Sequence, residues 1–214
     1  MIRVIIADDH TVVRNGLRHI LERTSDFEVV GEAARGTEVP QLVRELSPHV
    51  ILLDLSMPGR NGLELIRQLR ADHPALRILV LTMHAEEQYV VRAFRAGAAG
   101  YLTKESAATE LVEALRKVAA GGTYVSPAMA EKLALGLQEK PDAPHEGLSD
   151  RELEVFRRIV DGESLTQIAA ALCVSAKTVS TYKMRLMENL QLRSDAALVR
   201  YAIEARLFGD EDKL

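Results

Sequence analysis

Val50-Ile51-Leu52-Leu53-Asp54-Leu55-Ser56-Met57-Pro58-Gly59 places a carboxylate at the end of a run of branched aliphatic residues. Such a run reads as a strand buried on both faces, as in a parallel sheet covered by helices. Asp54 then stands at the C-terminal end of the strand, the edge at which open α/β sheets bind ligands. An Asp that merely caps the following turn is the competing reading, and this stretch alone does not separate the two.

Working outward, β-rich apolar runs alternate with helical patterns through the first half of the chain. Strands are expected at Arg3 to Ala7, Glu28 to Ala33, Val50 to Leu55, Arg77 to Thr82 and Gly100 to Thr103. Helices are expected at about Val12–Arg23, Gly36–Leu46, Gly62–Ala71, Glu87–Ala96 and Ala107–Ala120. Strict alternation predicts a doubly wound α/β domain with a five-stranded parallel sheet.

That topology gives Asp54 company. Asp8 and Asp9 follow the first strand, Thr82 ends the fourth, and Lys104 follows the fifth. If the first and third strands are neighbours, all of these share one sheet edge. Three carboxylates in one crevice raise one another's pKa unless a hard divalent cation neutralises them, and an all-oxygen donor set favours Mg²⁺. Thr82 or Lys104 alone is weak evidence, since Thr ends many strands and Lys is usually solvated. Together at successive strand ends they point to a functional cluster.

The composition sets bounds. The 214 residues allow one or two domains, and 47% hydrophobic with 27% charged content is ordinary for a globular protein. No apolar run approaches a membrane span, and no export signal is visible at the N-terminus. The single cysteine, Cys173, excludes an intrachain disulfide and fits a reducing cytoplasm; it is expected to pack as a small apolar residue. A net charge of −4 argues against nonspecific coating of nucleic acid, so any nucleic-acid contact must be a local patch.

From Gly121-Gly122 the composition changes. Ser126-Pro127 announces a short helix from Ala128 to Leu137. A tether follows to Gly147, in which His145 reads as a solvated loop residue. Beyond it, strand signals vanish and helix caps multiply. Ser149 with Glu152 and Ser164 with Gln167 are capping boxes, while Ser175 and Ser194 cap the third and fourth helices. The brief Cys173-Val174-Ser175 turn implies an angled helix pair, a helix-turn-helix. On the third helix Val179, Leu186 and Leu190 recur at core spacing. The opposite face offers Lys177, Ser180, Thr181, Met184, Arg185 and Glu188, with Lys183 on its flank. Its cations outnumber its acid although the segment from Leu148 onward holds ten basic and eleven acidic residues, a local excess expected of a helix that enters a DNA groove.

Two resemblances follow from these residues. Ala7-Asp8-Asp9-His10, Leu53 to Gly59 with Gly62, Leu81-Thr82 and Gly97 to Lys104 resemble a bacterial response-regulator receiver domain, flavodoxin-like in fold, over about residues 1–121. The resemblance implies that Asp54 is the phosphoacceptor, that Asp8, Asp9, Asp54 and the backbone carbonyl of Ser56 serve the Mg²⁺ site, that Thr82 and Lys104 bind phosphoryl oxygens, and that Tyr101 is an aromatic switch. The second half, from Leu148 to about Phe208, resembles the LuxR-type helix-turn-helix of the NarL/FixJ class, carried by Leu148-Ser149-x-Arg151-Glu152-x-Glu154-Val155, Gly162-Glu163-Ser164, Ile168-Ala169, Leu172, Val174-Ser175-x-x-Thr178-Val179, Leu190 and Arg193. It departs at Ser180 and Tyr182, where that family commonly has Lys and His. Ser180, Thr181 and Met184 become candidates for base edges and Lys177, Lys183 and Arg185 for phosphates, with Ser175 and Thr178 beside them.

The expected whole is a cytoplasmic, two-component transcription regulator with a receiver at 1–121, a linker at 122–147 and an all-α DNA-binding domain at 148–214. Its expected partners are a sensor histidine kinase, double-stranded DNA and, once phosphorylated, a second copy of itself. Neither a membrane nor a small-molecule substrate beyond a phosphodonor is expected. An enzymatic output would need a catalytic constellation after residue 147, and the sequence shows no nucleophile with a base, no metal-ligand pair and no glycine-rich phosphate loop there. RNA binding or protein docking is the alternative output. A small-molecule-sensing LuxR protein would lack the acidic cluster of the first half.

Overall fold

The computed structural model describes residues 1–83, 87–126, 129–130, 144–205 and 207–208. The chain divides into two compact units, Met1–Gly136 and Leu137–Leu214.

In the first unit the order is β1 (Ile2–Ala7), α1 (Thr11–Glu22), β2 (Phe27–Ala33), α2 (Val39–Leu46), β3 (Val50–Leu53), α3 (Gly62–Asp72), β4 (Arg77–Thr82), α4 (Glu87–Ala96), β5 (Gly100–Thr103), α5 (Ala107–Ala119) and β6 (Tyr124–Val125). All pairings are parallel, in the order β2-β1-β3-β4-β5-β6. Alternate residues of the central strands serve opposite faces. Val4, Ile6, Val50, Leu52, Leu79 and Leu81 join Leu17 and Leu21 of α1 and Leu111, Leu115 and Val118 of α5 in one core cluster. The residues between them, Ile5, Ile51, Leu53, Ile78 and Val80, are fully buried as well, on the other face. Both faces are therefore covered, as the unbroken apolar run of β3 requires.

The sheet carries one strand more than the sequence pattern implies. β6 is two residues long, pairs Tyr124 with Gly100, and is too short to show alternation. Arg77 helps to fix its approach, donating to the carbonyls of Val118, Gly121 and Gly122. Helix α2 starts at Val39, later than the pattern suggests, with Pro40 in its first turn. Ser126 accepts the amide of Met129 as a cap would, but the expected helix from Ala128 to Leu137 otherwise lies outside the described residues.

The turn after β3 is held by close contact. A Cβ on Gly62 would fall 2.6 Å from the Cα of Leu55 and 2.8 Å from its carbonyl oxygen, so α3 can begin here only with glycine. Asn61 caps α3, its side chain accepting the amides of Leu63 and Glu64 at 3.0 and 3.1 Å.

The second unit contains a short 3₁₀ turn at Pro144–Gly147 and helices α6 (Asp150–Val160), α7 (Leu165–Leu172), α8 (Ala176–Asn189) and α9 (Asp195–Glu204). Capping boxes at Ser149 and Ser164 are both complete, and Ser175 and Ser194 accept the amides of Thr178 and Ala197. Leu153, Phe156, Ile168, Leu172, Val179, Leu186, Leu198 and Ala202 are buried in its core, where the ring of Phe208 meets Phe156 edge-on at 5.0 Å. Cys173 ends α7 in the left-handed region, φ 55°, and is exposed, which corrects the expectation of a packed thiol. Its side chain stays open to solvent, and Sγ lies 3.8 Å from the carbonyl oxygen of Ala170 in the same helix. Among the described residues, no helix is long and apolar enough to cross a membrane.

Tyr124 gives the sheet edge a pH signature. Its hydroxyl donates to Glu110 Oε2 at 2.9 Å. Burial first, then the bond to Glu110 and the nearby carboxylates, push its pKa up to about 12. An unfolded tyrosine ionises near 10. Between about pH 10 and 12 the folded chain thus keeps a proton that the unfolded chain has lost, so this stabilisation is full below pH 10 and fades above it. Chemical unfolding followed from pH 9 to 11.5 should show stability falling more steeply in wild type than in Tyr124→Phe.

Candidate functional site: an acidic crevice and a basic helix face

The strand order reverses between β1 and β3, which pair directly, and the crevice opens at their C-terminal ends. Asp8 follows β1 with its amide bonded to the carbonyl of Ala33, and Asp54 follows β3 with its amide bonded to that of Ala7. The chain thus continues the sheet ladder for one more residue at each site, which fixes where both carboxylates start. Asp8 and Asp54 are 1% and 2% exposed. Thr82 is fully buried at the end of β4, and Lys104, next after β5, bonds its amide to the carbonyl of Thr82 at 2.9 Å.

The Lys104 ammonium binds two acids at once: Nζ lies 2.8 Å from Asp54 Oδ2 and 2.7 Å from Asp8 Oδ2. Asp54 Oδ1 accepts the amide of Ser56 at 3.0 Å, so both of its oxygens are oriented. Asp8 Oδ1 accepts the amide of His10 at 2.8 Å, and Arg14 grips the Asp8 carbonyl at 2.6 Å. Burial raises the pKa of Asp54; Lys104 and the Ser56 amide oppose it, and Asp8 adds to it. Burial alone would lower Lys104, but the charges and bonds of Asp54 and Asp8 outweigh it and raise the ammonium above its usual range. The crevice remains short of positive charge. Three carboxylates there share one ammonium: Asp8 Oδ2 and Asp54 Oδ2 both pair with Lys104, and Asp9 Oδ1 has only the His10 ring beside it, at 2.8 Å. One donor atom from each of Asp8, Asp9, His10 and Asp54 lies within 4.8 Å of all the others, a spacing able to hold a metal ion.

Tyr101 lies in β5 with no exposed surface, its ring wholly inside. Ser56 is partly buried beside Asp54.

On α8 the expected reading face divides. Lys177, Ser180 and Arg185 are exposed, and Met184 is 54% exposed, unusual for so large an apolar side chain. Ser175 and Thr178 are occupied in the cap, their hydroxyls 2.8 Å apart, and the Thr181 hydroxyl donates to the Lys177 carbonyl. Lys183 is tied to Asp195 at 2.6 Å.

Known proteins match this arrangement in both halves. The response regulator receiver domain family matches residues 4–116, and the luxR family of bacterial regulatory proteins matches residues 146–202. The chain belongs to the NarL/FixJ class of two-component response regulators. The regulator is 41% identical to the response regulator GacA of Pseudomonas protegens, over 95% of its own length and 96% of that protein. It is 38% identical to the response regulator UvrY of Escherichia coli, over 99% and 98%. Its fold is similar to that of RcsB from Salmonella enterica, solved bound to the promoter rprA in the presence of the phosphomimetic BeF3⁻, with a TM-score of 0.67, 33% identity and coverage of 94% and 97%. The regulator is thus a transcription regulator with a receiver and a LuxR-type helix-turn-helix.

Asp8, Asp9, Asp54 and Lys104 converge as the sequence implies, with Thr82 on the neighbouring strand end. Sequence reasoning gave no role to His10 or Arg14, whose only signal was their place just after the acidic pair. His145 corrects another reading: it is no solvated loop residue, since Nδ1 lies 3.0 Å from the Tyr201 hydroxyl and the rings meet edge-on.

Lys104 should therefore matter for stability as well as for chemistry. Removing one member of a buried ion pair leaves an uncompensated charge and costs about 3–5 kcal/mol. In metal-free buffer at pH 7, urea unfolding of Lys104→Ala should show a loss of that order, and Asp54→Asn in the same chain should restore part of it.

Proposed function

We propose that the regulator receives a phosphoryl group on Asp54 from a partner sensor histidine kinase, and that this switches its helix-turn-helix to bind double-stranded DNA as a homodimer. The observation that carries the reading is Asp54 itself, buried at the strand-order reversal with one oxygen held by the Ser56 amide and the other by Lys104. A carboxylate oxygen of Asp54 forms the new bond to phosphorus as the donor's bond breaks in line, and the electron pair departs with the donor. The Lys104 ammonium then moves from carboxylate to phosphoryl oxygen, and the Thr82 hydroxyl donates to another. The Thr82 bond is new and supplies about 1.5–3 kcal/mol, while Lys104 exchanges a carboxylate for a more highly charged partner and adds only the difference. Carrying a two-state equilibrium from 1:99 to 99:1 takes about 5.5 kcal/mol. These bonds cover part of that difference, and Tyr101, packed inside on β5 next to Thr82's strand, is the residue we assign to sense the change.

The all-oxygen set of Asp8, Asp9, Asp54 and the Ser56 carbonyl suits Mg²⁺. Its chemistry there would be to screen the repulsion between Asp54 and the incoming phosphoryl group. The output, carried by residues 148–214 beyond a connection at 122–147, is binding and not catalysis, and the regulator works in the cytoplasm with no small-molecule substrate except a phosphodonor. On α8 the exposed Lys177 and Arg185 serve phosphates, and Ser180 and Met184 face base edges. So few phosphate contacts make a single copy a weak binder at physiological salt, which dimerisation remedies.

Fluorescence anisotropy on a duplex selected from random sequence tests both parts. Acetyl phosphate should tighten binding by wild type and leave Asp54→Asn unchanged; equal binding by the two would overturn the mechanism. Lys177→Ala and Arg185→Ala should each lower the salt slope by about 1, whereas Lys183→Ala should lower it less, because Asp195 already neutralises Lys183.

A further inference from the structure

The ring of His10 stands at the N-terminus of α1, where a serine or aspartate would ordinarily cap, yet it makes no side-chain cap bond. It is 62% exposed, so packing does not hold it either. Its Nδ1 instead lies 2.8 Å from Asp9 Oδ1 and 3.3 Å from Asp8 Oδ1. Donors on adjacent vertices of an octahedron with bonds of about 2.1 Å are roughly 3.0 Å apart. The imidazole and two carboxylates thus already stand at the spacing of neighbouring ligands, within 4.8 Å of an oxygen of the buried Asp54.

We propose that His10 is a selectivity ligand of the crevice, adding a nitrogen donor that a first-row transition dication such as Mn²⁺ or Co²⁺ uses and Mg²⁺ does not. The proposal rests on the crevice's being a divalent-cation site. Mg²⁺ is hard, prefers oxygen and keeps its waters, so it is served by the carboxylates alone. Imidazole suits the borderline metals, whose affinity for a mixed nitrogen and oxygen site climbs along the first row. Competition at this site is then set by the ring beside the acids as well as by the acids themselves.

The full-length chain is titrated calorimetrically with Mg²⁺ and with Co²⁺ at pH 8, and bound Mn²⁺ is examined by pulsed electron paramagnetic resonance for coupling to nitrogen. Wild type should bind Co²⁺ more tightly than Mg²⁺, with a large excess of Mg²⁺ displacing it from the same site, and the Mn²⁺ spectrum should show nitrogen coupling. His10→Ala should weaken Co²⁺ at least about tenfold, abolish the nitrogen coupling and leave Mg²⁺ affinity unchanged. Equal losses for both metals, or an unchanged Co²⁺ affinity, would overturn the role of His10 while leaving the cation site intact. If Asp9→Ala bound both metals as well as wild type does, the cation site itself would be refuted.

Discussion

One ammonium holds the crevice together. Lys104 reaches Asp8 and Asp54 from the end of β5, and those acids come from the ends of β1 and β3. Without it two carboxylates almost closed to solvent would face each other across a medium that screens poorly. The rest of the first unit follows from that requirement. The sheet must bring three strand ends to one edge, the apolar runs of β1, β3 and β4 must be buried on both sides to keep those ends rigid, and Gly62 must let α3 start hard against Leu55.

The same shortage of positive charge makes the site responsive. Asp54 is held up by burial while Lys104 is held protonated by its two partners, so any group that brings negative charge competes for one ammonium. A cluster with a surplus of cations would have nothing to redistribute. The second unit is built on the opposite plan, with a serine capping the start of each described α-helix and charge arranged at the surface of α8. Capped helices there present exposed Lys177 and Arg185 on α8, whereas the crevice presents an unfinished balance of charge.

Much of this was legible in the chain. The run Val50 to Leu53 reads as a strand covered on both faces, and the residues after successive strands fall at one edge because parallel topology leaves little choice. Capping boxes at Ser149 and Ser164 were readable since their partners lie three residues away. What escaped depends on distance in sequence or on brevity. The His145–Tyr201 contact spans 56 residues and Lys183–Asp195 spans 12, so neither leaves a local pattern. β6 is too short to alternate, and the exposure of Cys173 follows from a left-handed turn that its residue type does not announce. His10 was visible but silent, since a histidine after two aspartates acquires meaning only once its ring is seen to fold back over them.

The central claim is that Asp54, and neither of its acidic neighbours, accepts the phosphoryl group. Treating the full-length chain with acetyl phosphate and Mg²⁺, reducing the acyl phosphate with borohydride and locating the modified aspartate by mass spectrometry tests it directly. The account predicts modification at Asp54 alone, lost in Lys104→Ala or strongly reduced; modification at Asp8 or Asp9, or none in a chain that binds Mg²⁺, would contradict it.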